Sequence, residues 1–164
     1  MKKLLMMSLL CLAFIACSKD DDGGGGGGSV AEGTIKAKVD GTAFTSNSQF
    51  TIGNKVNAGG TTTVTLQGSD NSGNAIVMII SGFEDAGTYN IGGGANVFTN
   101  ASYTQGGADS WQAPFDDTVA GEIKVSEVSD TNIKGTFEFT AKNSDDDSTK
   151  KITEGVFNIK LAQI

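Results

Sequence analysis

From Gly33 onward apolar and polar residues alternate with period two, the signature of strands that bury one face and wet the other. In Thr34-Ile35-Lys36-Ala37-Lys38-Val39 the set Ile35, Ala37 and Val39 alternates with Thr34, Lys36 and Lys38. Asp40-Gly41 follows, a dipeptide that favours a tight hairpin because both turn positions need positive φ, and Phe44 opens the returning segment. Further strands are expected over residues 49–56, 61–67, 75–81 and 88–91, separated by Gly- and Asp-rich turns. Such spacing argues for hairpins and against crossovers. The run Ala75-Ile76-Val77-Met78-Ile79-Ile80 is apolar on both faces, which predicts a central, doubly covered strand; bounded by glycine-bearing turns, it is too short for a buried helix.

The C-terminal third repeats the pattern in Gly121 to Ser126, Ile133 to Ala141 and Phe157 to Leu161. A turn at Ser129 to Asn132 joins the first pair and a polar loop from Asn143 to Lys150 the second. Paired as hairpins, these segments put Phe137, Phe139, Phe157 and Ile159 on one buried face, and a slip of one residue would expose all four. After residue 32 there is no sustained 3.6-residue period, and the single proline, Pro114, falls in a stretch that reads as irregular, residues 108–117. The expected fold class is all-β: an antiparallel β-sandwich of about 8–10 short strands over residues 33–164, with an up-and-down, lipocalin-like β-barrel as the alternative.

Residues 1–32 follow another rule. Lys2 and Lys3 precede an apolar run from Leu4 to Ala16 that ends in Phe14-Ile15-Ala16-Cys17. That run falls short of the roughly 20 residues a membrane-spanning helix needs. It reads as a lipoprotein signal peptide over residues 1–16, with Cys17 as the lipidation site, and a palmitoyl-type anchor on that sulfur is the only covalent group expected. Residues 17–32 carry Asp20-Asp21-Asp22 and six glycines, Gly23 to Gly28, and almost nothing apolar, so they read as a tether with a root-mean-square reach of roughly 20 Å. Both cysteines, Cys11 and Cys17, lie ahead of the β domain, which therefore holds no disulfide.

Charge and composition narrow the chemistry. The chain has a formal net charge of −7, no histidine and no arginine, so nucleic acid is not an expected partner. Without histidine, arginine or a free thiol, Ser-His-Asp and Cys-His nucleophiles and histidine or thiolate zinc sites are excluded, leaving only carboxylates, lysines, tyrosines and hydroxyls. The expectation is a non-enzyme with no catalytic residues, no metal and no cofactor besides the lipid on Cys17. Asp145 to Asp147 read as a solvated hairpin tip, since neither they nor Asp116-Asp117 follow a calcium-loop spacing.

One region stands above this background. Tyr89, Phe98, Tyr103, Trp111 and Phe115 crowd a Gly-, Asn- and Asp-rich stretch, and aromatic faces beside amides and carboxylates are how sugar-binding surfaces are built. Phe98 and Phe115 read as core. Trp111, between Ser110 and Gln112, reads as a loop residue, so the candidate ligand-binding set is Trp111, Tyr103, Tyr89 and Asp116. An exposed Trp111 predicts that Trp111→Ala removes glycan binding and leaves thermal unfolding nearly unchanged.

Val39-Asp40-Gly41 with Phe44, Gly87-Thr88-Tyr89, Gly121-Glu122-Ile123, Ile133-Lys134-Gly135-Thr136-Phe137-Glu138-Phe139 and Ile152-Thr153-Glu154-Gly155-Val156-Phe157 span nearly the whole β domain. In these the chain resembles a family of uncharacterised Bacteroidota lipoproteins with a single β domain. The resemblance implies a lipoprotein signal, a short tether and one β domain, and carries over no catalytic or ligand residue. The acidic run after Cys17 also looks like the surface-export signal of such lipoproteins. The expected protein is thus an outer-membrane, surface-exposed lipoprotein, held to the membrane by its lipid, whose non-catalytic domain binds a glycan or an envelope partner protein. A structural or accessory envelope lipoprotein without a small-molecule ligand is the alternative, and a barrel holding a hydrophobic ligand the third reading.

Overall fold

The computed structural model describes residues 30–94 and 99–163. The signal peptide, most of the tether, Cys17 and Phe98 lie outside the described residues. Eleven strands form one mixed sheet: β1 Thr34–Val39, β2 Thr42–Thr45, β3 Thr51–Ala58, β4 Thr61–Ser69, β5 Ala75–Ser81, β6 Gly87–Gly92, β7 Thr99–Gln105, β8 Asp109–Ala113, β9 Val119–Val128, β10 Asn132–Lys142 and β11 Thr149–Gln163. The all-β expectation holds, and the strand count exceeds the eight to ten foreseen. The surplus comes from β7, for which no strand was expected, and from β8, which lies in the stretch read as irregular. The β11 strand runs for 15 residues, absorbing the last residues of the anticipated polar loop.

The strand pairings branch. On one side β2, β1, β11, β10, β9 and β6 follow one another; on the other β3, β4, β5, β7 and β8 do. Two seams join them. The C-terminal end of β11 pairs in parallel with β3, Leu161 opposite Gly53, and the end of β10 meets β8 at Lys142 and Gln112. The circuit β11-β3-β4-β5-β7-β8-β10 therefore closes on itself, with β1, β2, β9 and β6 attached to its long hairpin. Hairpins dominate as expected, but β6 leaves the meander to pair with β9, so β5 pairs directly with β7. The parallel β11–β3 seam also departs from the hairpin-only expectation.

Alternation in the sequence becomes alternation in burial. Ile35, Ala37 and Val39 face inward, and so do Ile133, Phe137 and Phe139. In β5 the prediction of double coverage fails: Ile76, Met78 and Ile80 are fully buried while Val77 and Ile79 stay partly exposed. The strand is central in pairing order but has one wet face.

The core is organised by rings lying over glycines. Across β9, β10 and β11, Phe157 stands opposite Gly135, Phe137 opposite Gly155 and Phe139 opposite Gly121. A Cβ on Gly135 would meet the Lys124 carbonyl oxygen at 2.1 Å and the Phe157 ring at 2.6 Å, and one on Gly155 would meet the Phe137 ring at 2.6 Å. The rings fill the space those side chains would occupy, and Phe137 packs on Phe139 and Phe157 with centroids 6.2 and 6.3 Å apart. The four residues expected to share a face, Phe137, Phe139, Phe157 and Ile159, are all buried.

The phase of β11 needs one correction to achieve this. Ile152 and Phe157 are both inward although they are an odd number of residues apart, and the register shifts opposite Lys36/Lys38 and Phe137/Phe139 place a bulge between them. Glu154 occupies it with φ of 52°. A bulge adds one residue to one strand and restores the inward face.

Gly135→Ala is expected to lower stability by about 1 to 3 kcal/mol, because the atom it strikes is backbone and the ring above it is enclosed. Gly87→Ala, where an added Cβ meets nothing within 4 Å, should change stability by no more than about 0.5 kcal/mol. Denaturant titration of the two variants checks the pair; equal losses would refute the ring-over-glycine account.

Candidate functional site

The β7–β8 hairpin carries two of the aromatic candidates. Thr99, Ala101 and Tyr103 in β7, and Trp111 and Ala113 in β8, point inward, and Tyr103 pairs directly with Trp111. Their rings lie 5.9 Å apart. Trp111 is only 6% exposed and its indole N–H donates to the Ser148 hydroxyl at 2.9 Å. It is therefore a strand residue closing one end of the core, not the loop residue expected. Buried rings of this size need a polar outlet for their N–H or O–H.

That end of the core gathers charge from three turns. The Lys150 ammonium lies 5.2 Å from the Trp111 ring centroid and 3.1 Å from the Asp40 carboxylate. Asp40 sits at the β1–β2 turn with φ of 48°; its carboxylate accepts the Lys151 N–H at 2.8 Å while its own N–H donates to the Lys151 carbonyl. The Lys151 amide, helped by the Lys150 ammonium against desolvation, holds the Asp40 carboxyl below its ordinary pKa. In the β4–β5 loop, Asp70 accepts the N–H groups of Ser72 and Asn74 and the Asn74 side-chain amide. Desolvation opposes these hydrogen bonds, and the net result is again a lowered pKa. The same loop is tied to the β7–β8 turn, Gly106 N–H to Asn74 Oδ1 and Gly107 N–H to the Gly73 carbonyl.

Tyr103 stands opposite Trp111 in the same hairpin. It is 5% exposed, and burial first, then the charges of Asp70 and Asp40, push its phenol above the ordinary value, so it stays protonated. Among the described residues its hydroxyl has no hydrogen-bond partner, and no fully buried side-chain polar atom there lacks one, so the hydroxyl opens to solvent. At this end of the core the Trp111 ring thus meets the Tyr103 ring and the Lys150 ammonium, which in turn pairs with the Asp40 carboxylate. No group of three or more His, Cys, Asp or Glu among the described residues could hold a metal ion.

The other two candidates lie elsewhere. The Tyr89 ring stacks on Phe83 at 5.5 Å, and its hydroxyl donates to the Asp85 carbonyl and accepts the Glu84 and Asp85 N–H groups, tying up its own loop. Asp116 is fully exposed; the Thr118 hydroxyl and N–H bind its carboxylate and lower its pKa. Phe115, expected in the core, is 42% exposed. Asp145 to Asp147 form an exposed tip, with Asp147 paired to Lys142 and Asp146 capping the Ser148 N–H. Asp40, Asp70 and Lys150 were missed as site residues; the Asp40-Gly41 turn was visible, but nothing local says that its carboxylate meets Lys150.

Two outcomes follow from this geometry. Trp111→Ala should lower stability by about 3 to 5 kcal/mol, reversing the expectation for an exposed ring, as read by denaturant unfolding. Stability should also fall on acidification. Asp40 and Asp70 have folded pKa values below their unfolded values near 3.8, so their contribution is present above that pH and is lost as pH drops through the folded values. Asp40→Asn should flatten this acid limb in a pH series of melting temperatures, by a modest amount because the Asp40 side chain is 45% exposed.

No curated protein and no solved structure matches the chain. A family model does, over residues 31–159, nearly the whole β domain. The chain belongs to the family described as Domain of unknown function (DUF6252).

Proposed function

We propose that the protein is a lipid-anchored outer-membrane protein whose β domain is a non-catalytic binding module displayed at the cell surface, taking a glycan or an envelope partner protein at the end where Asp40, Lys150, Tyr103 and Trp111 meet. The anchor rests on the apolar run ending at Cys17 and the polar tether that follows. The observation that carries the reading is the opposition of two ends. Val30 and Gly33 are bound to Asn158, beside the β9–β10 turn, through Asn158 Nδ2 to the Val30 carbonyl and Gly33 N–H to the Asn158 carbonyl. From there β1 runs its six residues, roughly 20 Å, to Asp40. A lipid upstream of Val30 would leave the aromatic end facing away from the membrane.

The structural or accessory reading has one observation in its favour, the burial of Tyr103 and Trp111 in the core. Glycan arrays probed with the full-length protein separate the two: retention that is lost with Asp40→Asn supports the binding module, and a blank array favours the accessory role.

Cys17→Ala is expected to move the protein from the membrane fraction to the soluble fraction, and protease added to intact cells should remove the β domain of the unaltered protein. Retention of the variant on membranes would overturn the anchor. Full protection from protease would overturn surface display.

A further inference from the structure

Among the described residues four large hydrophobic side chains are exposed: Phe50, Ile52, Phe115 and Val119. Single exposed apolar groups are ordinary on a protein surface, so it is their position that carries meaning. Phe115 and Val119 flank the β8–β9 loop, at the end where Gln112 meets Lys142 and Asp40 meets Lys150. Phe50 and Ile52 are 49% and 51% exposed, with only Thr51 between them; Phe50 closes the 3₁₀ turn Ser48–Phe50 and Ile52 lies in the first residues of β3.

Contacts on both sides of that pair lead to the place where the chain enters the fold. On one side, a Cβ on Gly33 would lie 3.3 Å from Ser48 Cβ. On the other, Gly53 packs so closely on the end of β11 that a Cβ there would stand 2.6 Å from the Lys160 carbonyl oxygen. The Lys160 ammonium in turn pairs with Glu32 at 3.0 Å, which closes the charge beside the pair on itself. The Gly33 N–H donates to the Asn158 carbonyl, and the Leu161 N–H to the Thr131 carbonyl in the β9–β10 turn. Phe50 and Ile52 therefore border the entry of the chain at residues 30–33, at the end of the domain opposite Asp40 and Lys150.

The occupant follows from what the sequence places upstream. A lipid on Cys17 lies within a tether's reach of roughly 20 Å from this entry. Apolar groups held that close to a bilayer meet it at high effective concentration, so a small patch suffices where an untethered domain would need a large one. The net charge of −7 offers no attraction to anionic lipid, so a membrane contact of this domain has to be apolar. Two side chains also cover far less than the roughly 800 Å² per partner that a stable protein interface buries, which disfavours a second copy.

We infer that Phe50 and Ile52 form a membrane-seating patch: with the lipid in the bilayer, both side chains enter the boundary between headgroups and acyl chains. The domain is then held at two points, and the end carrying Trp111 and Lys150 is turned outward. This rests on the lipid anchor proposed above and is independent of the ligand proposed for the opposite end.

The test uses the full-length acylated protein in phosphatidylcholine vesicles, labelled with bimane at a cysteine introduced by Gln49→Cys, beside Phe50, or by Asp145→Cys, at the exposed tip of the opposite end. Acylation leaves Cys17 without a thiol and Cys11 falls in the signal peptide, so each variant has one labelling site. Phosphatidylcholine brominated on its acyl chains should quench the Gln49→Cys label more than the Asp145→Cys label by about threefold or more, because only the first sits at the interface. Phe50→Ser combined with Ile52→Thr should reduce the first signal to the level of the second with a nearly unchanged melting temperature, since both side chains are exposed. Phe115→Ser should leave it unaltered. Equal quenching of the two labels, or quenching that the double variant retains, would overturn the patch and leave the anchor standing. A dimer in detergent that the double variant dissolves, with no effect of bromine, would assign the patch to a second copy and overturn membrane seating. Loss of the protein from the vesicles on washing would overturn anchor and patch together.

Discussion

A missing side-chain atom governs this domain. At Gly135, Gly155 and Gly121 three strands approach so closely that a Cβ would lie between 2.1 and 2.7 Å from a carbonyl oxygen or a phenylalanine across the pair. At Gly135 and Gly155 the Phe157 and Phe137 rings take the volume that side chains would contest, and at Gly121 the backbone and Cβ of Phe139 do. Interiors pack at crystal-like density, and a site with no slack transmits any added atom to the backbone. With both cysteines ahead of residue 33, this packing fixes the register of β9, β10 and β11 without a disulfide.

That register matters because the β10–β11 hairpin reaches both halves of the fold. One of its ends joins β8 through Lys142 and the other joins β3 through Leu161. A slip of one residue would expose the phenylalanines and break both seams together. The Glu154 bulge belongs to the same logic. It adds the residue that lets Ile152 and Phe157 share the inner face, and so it decides that Lys150, two residues before Ile152, emerges beside Asp40 and Trp111. Core phase and rim chemistry are set by one irregularity.

What the sequence disclosed follows from contrast. Alternation between Ile or Phe and Lys or Glu is steep in β1, β9 and β10, and those strands stand where the pattern puts them. In β7 the alternating residues are Thr99, Ala101 and Tyr103 against Asn100, Ser102 and Thr104, a contrast too shallow to separate a strand from a loop. Trp111 and Pro114 amid glycines and aspartates then made β8 look irregular, although Trp111 and Ala113 keep the period. The β5 run misled in the opposite sense, since Val77 and Ile79 are apolar on a partly wet face. Of the candidate site, Tyr103 and Trp111 were visible as aromatics in a polar stretch. Asp40 and Lys150, 110 positions apart, meet only through the β1–β11 pairing, a long-range contact that no local pattern encodes.

The burial of Tyr103 and Trp111 changes what each ring can present to the outside. An exposed ring binds with its face, whereas a buried one presents only the polar atom at its tip and holds that atom rigidly. Trp111 has already committed its N–H to Ser148 and its face to Lys150, so it positions and does not contact. Tyr103 has committed its ring to the core, and among the described residues its hydroxyl meets no partner and opens to solvent.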